Sequence, residues 1–158
     1  MLSASHLPLT LGELVNELPM ADARNDDRTR KQTRAAAAAK NMASASNNTR
    51  WNELITHFRA LDGWRPSYRS KSVTGFVSAW DVEWFYHLPF PFETVEWFDI
   101  GLSEEGPFVG MLLPRSIIDH GNEILPVLKS IGFDFERRGD VVRIWGYLPR
   151  SYDDFPAQ

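Results

Sequence analysis

Apolar side chains follow the period of an α-helix directly after Asn47. They recur every three or four residues, which predicts a helix with one buried face, and Asn47 is well suited to cap its first turn. Asp62 and Gly63 mark its end. We expect Trp51 and Trp97 to lie in the core, because large aromatic rings bury the most apolar area. The predicted buried face consists of Trp51, Leu54, Ile55 and Phe58.

Alternating apolar and polar side chains predict β-strands further along the chain. Residues 93–102 alternate with apolar side chains on both faces, which is typical of a strand covered on both sides. Two more strands are predicted at 73–80 and 109–113. A tight turn at 137–140 then leads into a returning strand at 141–147.

The segments between these strands are predicted to be turns, a loop and a second helix. Helical spacing predicts the second helix at about 121–131, and Gly132 is suited to end it. Residues 103–107 are predicted to form a turn. Residues 81–92 contain two closely spaced prolines that do not fit a central strand, so we assign them to a loop or an edge. This order of elements predicts an α+β fold, a small single domain with a largely antiparallel sheet and two packed helices.

Aromatic residues divide the chain into two unlike parts. All 6 Trp, 4 Tyr and 10 Phe lie in residues 51–158, and residues 1–50 contain none. Because a core needs such side chains, we predict an α+β domain at 47–150, followed by a C-terminal tail at 151–158. Residues 1–46 are predicted to be a helical or partly disordered N-terminal extension.

Two helices are predicted within the N-terminal extension. Apolar side chains at 11–18 are spaced as in a short amphipathic helix. Residues 26–45 contain basic side chains and five consecutive alanines, which favour a helix with Asn25 or Asp26 as its cap. This second helix lacks a stripe of large apolar side chains, so we expect it to lie on the surface.

The sequence excludes several classes of protein. It contains no cysteine, which excludes disulfide frameworks, thiol nucleophiles and zinc sites with thiolate ligands. It has no run of about 18 apolar residues, so no membrane-spanning helix is predicted. The first nineteen residues hold no Lys or Arg, which argues against a signal peptide. We therefore expect a cytoplasmic protein without a membrane partner.

Three short motifs mark the beginning, the middle and the end of the predicted domain. They are Asn-Asn-Thr-Arg-Trp at 47–51, Glu-Trp-Phe-Asp-Ile at 96–100 and Gly-Asp-Val-Val-Arg-Ile-Trp-Gly-Tyr at 139–147. As a set they resemble an uncharacterised family of small bacterial proteins, and the resemblance covers roughly residues 40–150. It implies a bacterial cytoplasmic setting and these domain limits, and it transfers no catalytic residue.

A group of titratable side chains lies around residue 85. His87 is suited to ligate a metal or to act as a general base beside the carboxylates of Asp81 and Glu83, and Glu96 follows on the next strand. A metal-dependent or acid/base enzyme is therefore one alternative. The residue spacings typical of metal, nucleotide and catalytic-triad motifs are absent. The sequence thus favours a protein that is not an enzyme, and it assigns no metal site and no cofactor.

A nucleic-acid-associated protein that acts through the basic helix at 24–40 is a second alternative. This stretch has six basic side chains against two acidic ones, and clustered Lys and Arg are sufficient for phosphate contacts. Residues 51–158, however, hold 10 basic and 16 acidic side chains, a net charge of −6 that repels phosphate. Nucleic acid is therefore the less favoured partner.

The leading hypothesis is a non-enzymatic protein that binds another protein, as an immunity protein or a regulator does. Trp and Tyr anchor many interfaces, and an acidic surface attracts a basic target. The aromatic, proline-broken segment at 84–92 has this composition, with acidic side chains at both ends. The predicted partner-binding residues are Glu83, Trp84, His87, Phe90 and Glu93.

Overall fold

The computed structural model describes residues 18–158 and has three helices within them. The helices are α1 (Asp27–Ala39), α2 (Asn48–Arg59) and α3 (Gly121–Ile131), and one 3₁₀ turn spans Phe92–Thr94. The strands are β1 (Ala43–Ser44), β2 (Tyr68–Ser72), β3 (Val95–Gly101), β4 (Ser103–Glu105), β5 (Ile117–Asp119), β6 (Phe135–Arg138), β7 (Val141–Trp145) and β8 (Tyr147–Leu148). Except for Leu18, the amphipathic helix predicted at 11–18 lies outside the described residues.

The main sheet has four antiparallel strands in the order β2-β3-β7-β6. Its centre is the pair of β3 with β7, in which Phe98 lies opposite Ile144. Two small antiparallel pairs, β1 with β8 and β4 with β5, extend from it. The predicted α+β class and the largely antiparallel sheet are confirmed.

The helix ends follow the predicted capping residues. The Asp26 carboxylate accepts the N–H of Thr29 at the start of α1, and the Asn47 side chain accepts the N–H of Arg50 at the start of α2. Gly132 ends α3 with a φ of 98°, a left-handed conformation that favours glycine. These local signals placed the starts of all three helices and the ends of α2 and α3 to within a few residues. The helix predicted at 26–45 ends earlier, at Ala39, because Asn41 has a left-handed φ of 55° and residues 43–44 form β1.

The helices α2 and α3 cover one face of the main sheet. The predicted buried face of α2 is confirmed, since Trp51, Leu54, Ile55 and Phe58 are all buried. The Trp51 ring lies 5.1 Å from the ring of Phe92 and 5.0 Å from that of Phe133, between helix and sheet. Trp97 is also buried, but it lies on the opposite face of the sheet, beneath the C-terminal segment.

Two predicted strands are wrong. The strand expected at 73–80 lies instead at Tyr68–Ser72, because the chain turns at Gly75, whose φ is 107°, and returns along β2 with only isolated bridges. The strand expected at 109–113 is a turn and loop. This region instead contains an antiparallel pair of short strands. β4 lies where we predicted a turn, and β5 lies just before α3. Pairing between distant segments decided both outcomes.

Residues 18–46 pack against the rest of the fold. Ala21 is fully buried, and its N–H donates to the Asn52 side chain on α2 at 2.8 Å. Arg59 donates to the carbonyl of Pro19 at 2.6 Å, and β1 pairs with β8 near the C-terminus. The domain boundary at residue 46 stays a prediction, and these contacts cross it.

None of the helices in residues 18–158 combines the length and the apolar character needed to span a bilayer.

Candidate functional site

A long connection between β2 and the 3₁₀ turn forms the most distinctive surface of the described chain. We call residues 74–91 the aromatic loop. The loop and β2 enclose an open cavity of about 380 Å³, lined by aromatic, serine and charged side chains. Two of the lining side chains, Phe76 and Trp80, are exposed to solvent. The loop exposes three further large apolar side chains outside the cavity: Val77, Val82 and Tyr86.

Asp81, Glu83 and His87 converge at this loop, as the enzyme hypothesis requires. The Oδ2 atom of Asp81 lies 2.9 Å from Nδ1 of His87, and Oε2 of Glu83 lies 3.6 Å from Nε2. Both carboxylates also accept backbone N–H groups of the loop. Asp81 accepts those of Val82 and Glu83, and Glu83 accepts those of Phe85, Tyr86 and His87. The carboxylates therefore hold the loop in shape.

The electrostatics of this group favour an ionised Asp81. Partial desolvation raises the pKa of its carboxyl, but the hydrogen bonds from the Glu83 N–H, the His87 ring and the Val82 N–H outweigh it, so the pKa lies below its usual value. Burial and the nearby Asp81 carboxylate raise the pKa of Tyr68, whose hydroxyl donates to the Glu83 carbonyl. Tyr68 therefore stays a neutral donor beneath the loop.

Trp84 lies in the core and not on the surface. Its side chain has no exposed area, its Nε1 donates to the Pro66 carbonyl at 2.8 Å, and its ring packs 4.6 Å from Phe58. Arg59 adds hydrogen bonds to the carbonyls of Trp84 and Phe85. In this structure Trp84 fastens the aromatic loop to the core and presents nothing to a partner.

The other predicted partner-binding residues differ in exposure. His87 is exposed, and Phe90 is half-buried with the Arg24 guanidinium 5.9 Å above its ring. Glu93 is half-buried and accepts hydrogen bonds from Asn25 and Arg34. Glu93, in the 3₁₀ turn that follows the aromatic loop, thus connects this turn to Arg34 of α1.

Glu96 does not join the group around His87. Its carboxylate is buried and lies 3.4 Å from the Nζ atom of Lys71 on β2. Over residues 18–158, His, Asp and Glu side chains form no group of three that could hold a metal ion.

The basic helix α1 uses several of its charges within the chain. Arg30 pairs with Asp27 at 2.8 Å, Arg34 pairs with Glu93 at 3.2 Å, and Lys40 donates to the Val73 carbonyl. One face of the helix is buried through Thr33 and Ala37. The charges that remain for a phosphate backbone are therefore fewer than the sequence alone indicates.

The exposed aromatics at positions 76, 80 and 86 were missed as interface residues by sequence reasoning. The alternation at 73–80 was interpreted as a strand, which would have buried one of its faces. For Phe76 and Trp80 the signal is Thr74-Gly75 after the serines at 67, 70 and 72, because small polar residues beside glycine favour a turn. Large apolar side chains directly after a turn are candidates for surface exposure.

Comparison with known proteins agrees with the resemblance stated from the three motifs. The model of DUF6678, a family of unknown function, matches residues 33–151 and so includes the aromatic loop and the main sheet. No curated protein and no solved structure matches the chain. The chain belongs to the DUF6678 family of unknown function.

Proposed function

We propose that this protein binds another protein through the aromatic loop and does not catalyse a reaction. The observation that supports this proposal is the exposure of five large apolar side chains on the aromatic loop, two of which, Phe76 and Trp80, line its open cavity. Phe76 is 72% exposed and Trp80 is 43% exposed. Aromatic side chains that lie in solvent next to a concave surface are typical anchors of protein interfaces.

The charge of the site favours a basic partner. Asp81 and Glu83 lie within the loop and Glu93 lies at its end, while residues 51–158 as a whole carry a net charge of −6. Such an acidic field accelerates encounter with a basic protein and repels an acidic one. A regulator or an immunity protein that neutralises a basic enzyme has this arrangement.

The loop is rigid enough to act as a preformed interface. Trp84 anchors it in the core, and the Glu83 carboxylate accepts three consecutive backbone N–H groups. Arg59 holds two of its carbonyls from α2. Because the loop is already ordered, binding loses less conformational entropy than it would with a mobile loop.

Affinity capture from the organism that encodes the protein tests this proposal. The full chain serves as bait, in the natural form and as the double variant Phe76→Ala/Trp80→Ala. Leu148→Ala is the matched control, because it removes an exposed apolar side chain outside the aromatic loop. Circular dichroism confirms that all three proteins are folded.

We expect at least one basic protein to be captured by the natural chain and by Leu148→Ala. Its recovery should fall about tenfold or more with the double variant. With the purified partner, affinity falls as salt rises from about 0.05 to 0.3 M, because exposed charges are screened. Equal recovery of every protein by the natural chain and the double variant contradicts the proposal.

Acid/base catalysis is a second candidate, and the contact of 2.9 Å between Asp81 and His87 favours it. A carboxylate on Nδ1 orients an imidazole for proton transfer at Nε2, and His87 lines the cavity. A panel of ester and phosphate substrates, assayed with the natural chain and with His87→Gln, tests it. Turnover that disappears in the variant supports this candidate, and turnover that is absent or unchanged contradicts it.

A further inference from the structure

A second exposed region lies on the small hairpin of β4 and β5, away from the aromatic loop in sequence. We call residues 103–119 the apolar hairpin. Its strands are three residues long, and all three residues of β5 are exposed. An isolated two-stranded hairpin is marginally stable in water. Within residues 18–158, β4 is the only strand that pairs with β5, so the other edge of β5 is open.

The apolar hairpin carries seven large apolar side chains that are exposed to solvent. Met111 is 93% exposed and Leu112 is 97% exposed. Each of its seven exposed apolar side chains is at least 42% exposed, whereas soluble monomers rarely expose so many large apolar side chains together. A standard protein interface buries about 800 Å² on each partner. The members of the patch are Phe108, Val109, Met111, Leu112, Leu113, Ile117 and Ile118.

The open edge of β5 presents backbone groups in a definite order. The Gly106 N–H donates to the Ser116 carbonyl at 2.7 Å, and the His120 N–H donates to the Leu102 carbonyl at 2.8 Å. Ser116 and His120, which flank β5, therefore form hydrogen bonds toward β4, and by alternation Ile118 faces β4 as well. The N–H and C=O groups of the residues between them, Ile117 and Asp119, point away from β4.

We propose that the apolar hairpin is the site at which two copies of this chain form a symmetric dimer. Two β5 strands placed antiparallel about a two-fold axis at Ile118 bring Ile117 of one copy opposite Asp119 of the other. Their outward N–H and C=O groups then form hydrogen bonds, and the two Ile118 residues face each other. The apolar tips pack together on either side of the axis.

The charge distribution selects a second copy over other occupants. Residues 106–114 carry no charge, so identical tips do not repel each other. The nearest charges are neutralised within each copy, because Arg115 pairs with Glu105 and Asp119 pairs with Arg137. An anionic lipid surface is disfavoured by the net charge of −4 and by the acidic residues of β4.

Sedimentation velocity of the full chain over a range of concentrations tests the dimer. The double variant Met111→Asp/Leu112→Asp places charges on nearly fully exposed side chains, so folding is expected to be unchanged by circular dichroism. Val82→Asp is the matched control, because Val82 is also exposed but lies in the aromatic loop. We expect the natural chain and the control to be dimers and the double variant to dissociate with a constant raised at least tenfold.

The absence of native cysteine allows a direct test of the two-fold axis. Ile118→Cys would place two thiols at a directly opposed pair of strands, where a disulfide forms under mild oxidation. The control is Lys129→Cys, which is exposed on α3. We expect a covalent dimer with Ile118→Cys and little with the control.

Three results overturn the proposal. One is a monomeric natural chain at about 100 µM, a concentration at which an interface of this size is normally occupied. Another is a dimer whose dissociation constant is the same in the double variant, which places the interface elsewhere. The third is a monomer that co-sediments with phosphatidylcholine vesicles and loses this binding in the double variant, which assigns the hairpin to a lipid surface.

Discussion

The two faces of the main sheet are covered in different ways. The face beneath α2 and α3 is apolar, with Phe98 and Ile100 of β3 and Val142 and Ile144 of β7 packed against Trp51 and its neighbours. The other face carries charged and aromatic side chains beneath residues 150–156. The sheet therefore combines one face held by packing with one held by directed polar contacts.

The polar face is centred on a buried ion pair. Arg143 donates to both oxygens of Asp99, at 2.7 and 3.0 Å, and neither side chain has exposed area. Arg69 adds a contact to Asp99 at 3.0 Å from β2. The Arg143 guanidinium also lies 3.6 Å above the ring of Trp97 and donates to two carbonyls of the C-terminal segment.

The covers of the two faces show which surfaces of the molecule remain exposed to solvent. Both faces of the sheet are occupied by the chain itself, one by helices and one by the C-terminal segment. The exposed side chains of the aromatic loop and the apolar hairpin are covered by neither layer, and the two proposed interfaces consist of them. Substitutions on the two faces should lower the free energy of unfolding by different amounts.

The largest loss of stability is expected on the helix-covered face. Trp51→Ala removes an indole that contacts Phe92 and Phe133 and leaves a cavity, so the free energy of unfolding should fall by about 4 kcal/mol. Urea denaturation followed by circular dichroism measures it. A loss below about 1 kcal/mol would mean that the core collapses around the gap.

On the polar face, Asp99→Ala leaves Arg143 buried without its partner. The free energy of unfolding should fall by about 3 kcal/mol, because an uncompensated charge remains in the interior. Denaturation in urea measures this loss as well. Arg69 lies in the same network and loses its partner in the same variant.

The double variant Asp99→Leu/Arg143→Met distinguishes the two faces most sharply. Replacing both charges by apolar side chains of similar size should restore the stability to within about 1 kcal/mol of the natural chain, because the fully buried charge of Arg143 is removed together with that of Asp99. Arg69, which is 18% exposed, still loses its contact with Asp99 in this variant. No comparable rescue exists for Trp51→Ala. If the double variant is less stable than Asp99→Ala alone, the hydrogen bonds of Arg143 to the C-terminal segment outweigh the ion pair.

The C-terminal cover should contribute less than either buried cluster. Phe155 is nearly buried and lies under the guanidinium groups of Arg143 and Arg138, at 4.6 and 5.0 Å from its ring centre. We expect Phe155→Ala to lower the free energy of unfolding by about 2 kcal/mol, since the segment is peripheral. Tyr152→Phe, which keeps the ring, is the control and should cost less.

The smallest effect concerns pH and the same cover. Desolvation raises the pKa of Glu136, but hydrogen bonds from Arg138 and Tyr152 outweigh it, so the pKa lies below its usual value. Since the folded pKa is the lower one, this contribution to stability is full above the unfolded pKa of about 4.5 and is lost as pH falls through the folded value. The natural chain should therefore exceed Glu136→Gln in stability at pH 7, and this difference should shrink as the pH falls below about 4.5. A difference that does not change with pH would contradict this assignment.

Local sequence signals predicted the parts of the fold that depend on neighbouring residues. The caps at Asp26 and Asn47, the left-handed Gly132 and the tight turn at Gly139 lie where the sequence placed them. The short strands β4 and β5 were not predicted, because their three residues gain strand structure only by pairing with each other. The surface exposure of Phe76 and the burial of Trp84 were likewise beyond local pattern.

Sequence patterns alone gave the class of fold, the helix starts, the family and the proximity of Asp81, Glu83 and His87, because capping, periodicity and short motifs act over a few residues. They did not give the end of α1 at Ala39 or the separation of Glu96 from the group around His87. Only the tertiary structure decided which aromatic side chains reach solvent and which residues cover each face of the sheet. Composition gives the number of apolar side chains but does not tell which of them pack against other residues. Burial depends on contacts between residues far apart in the chain, such as Asp99 with Arg143 and Trp84 with Pro66.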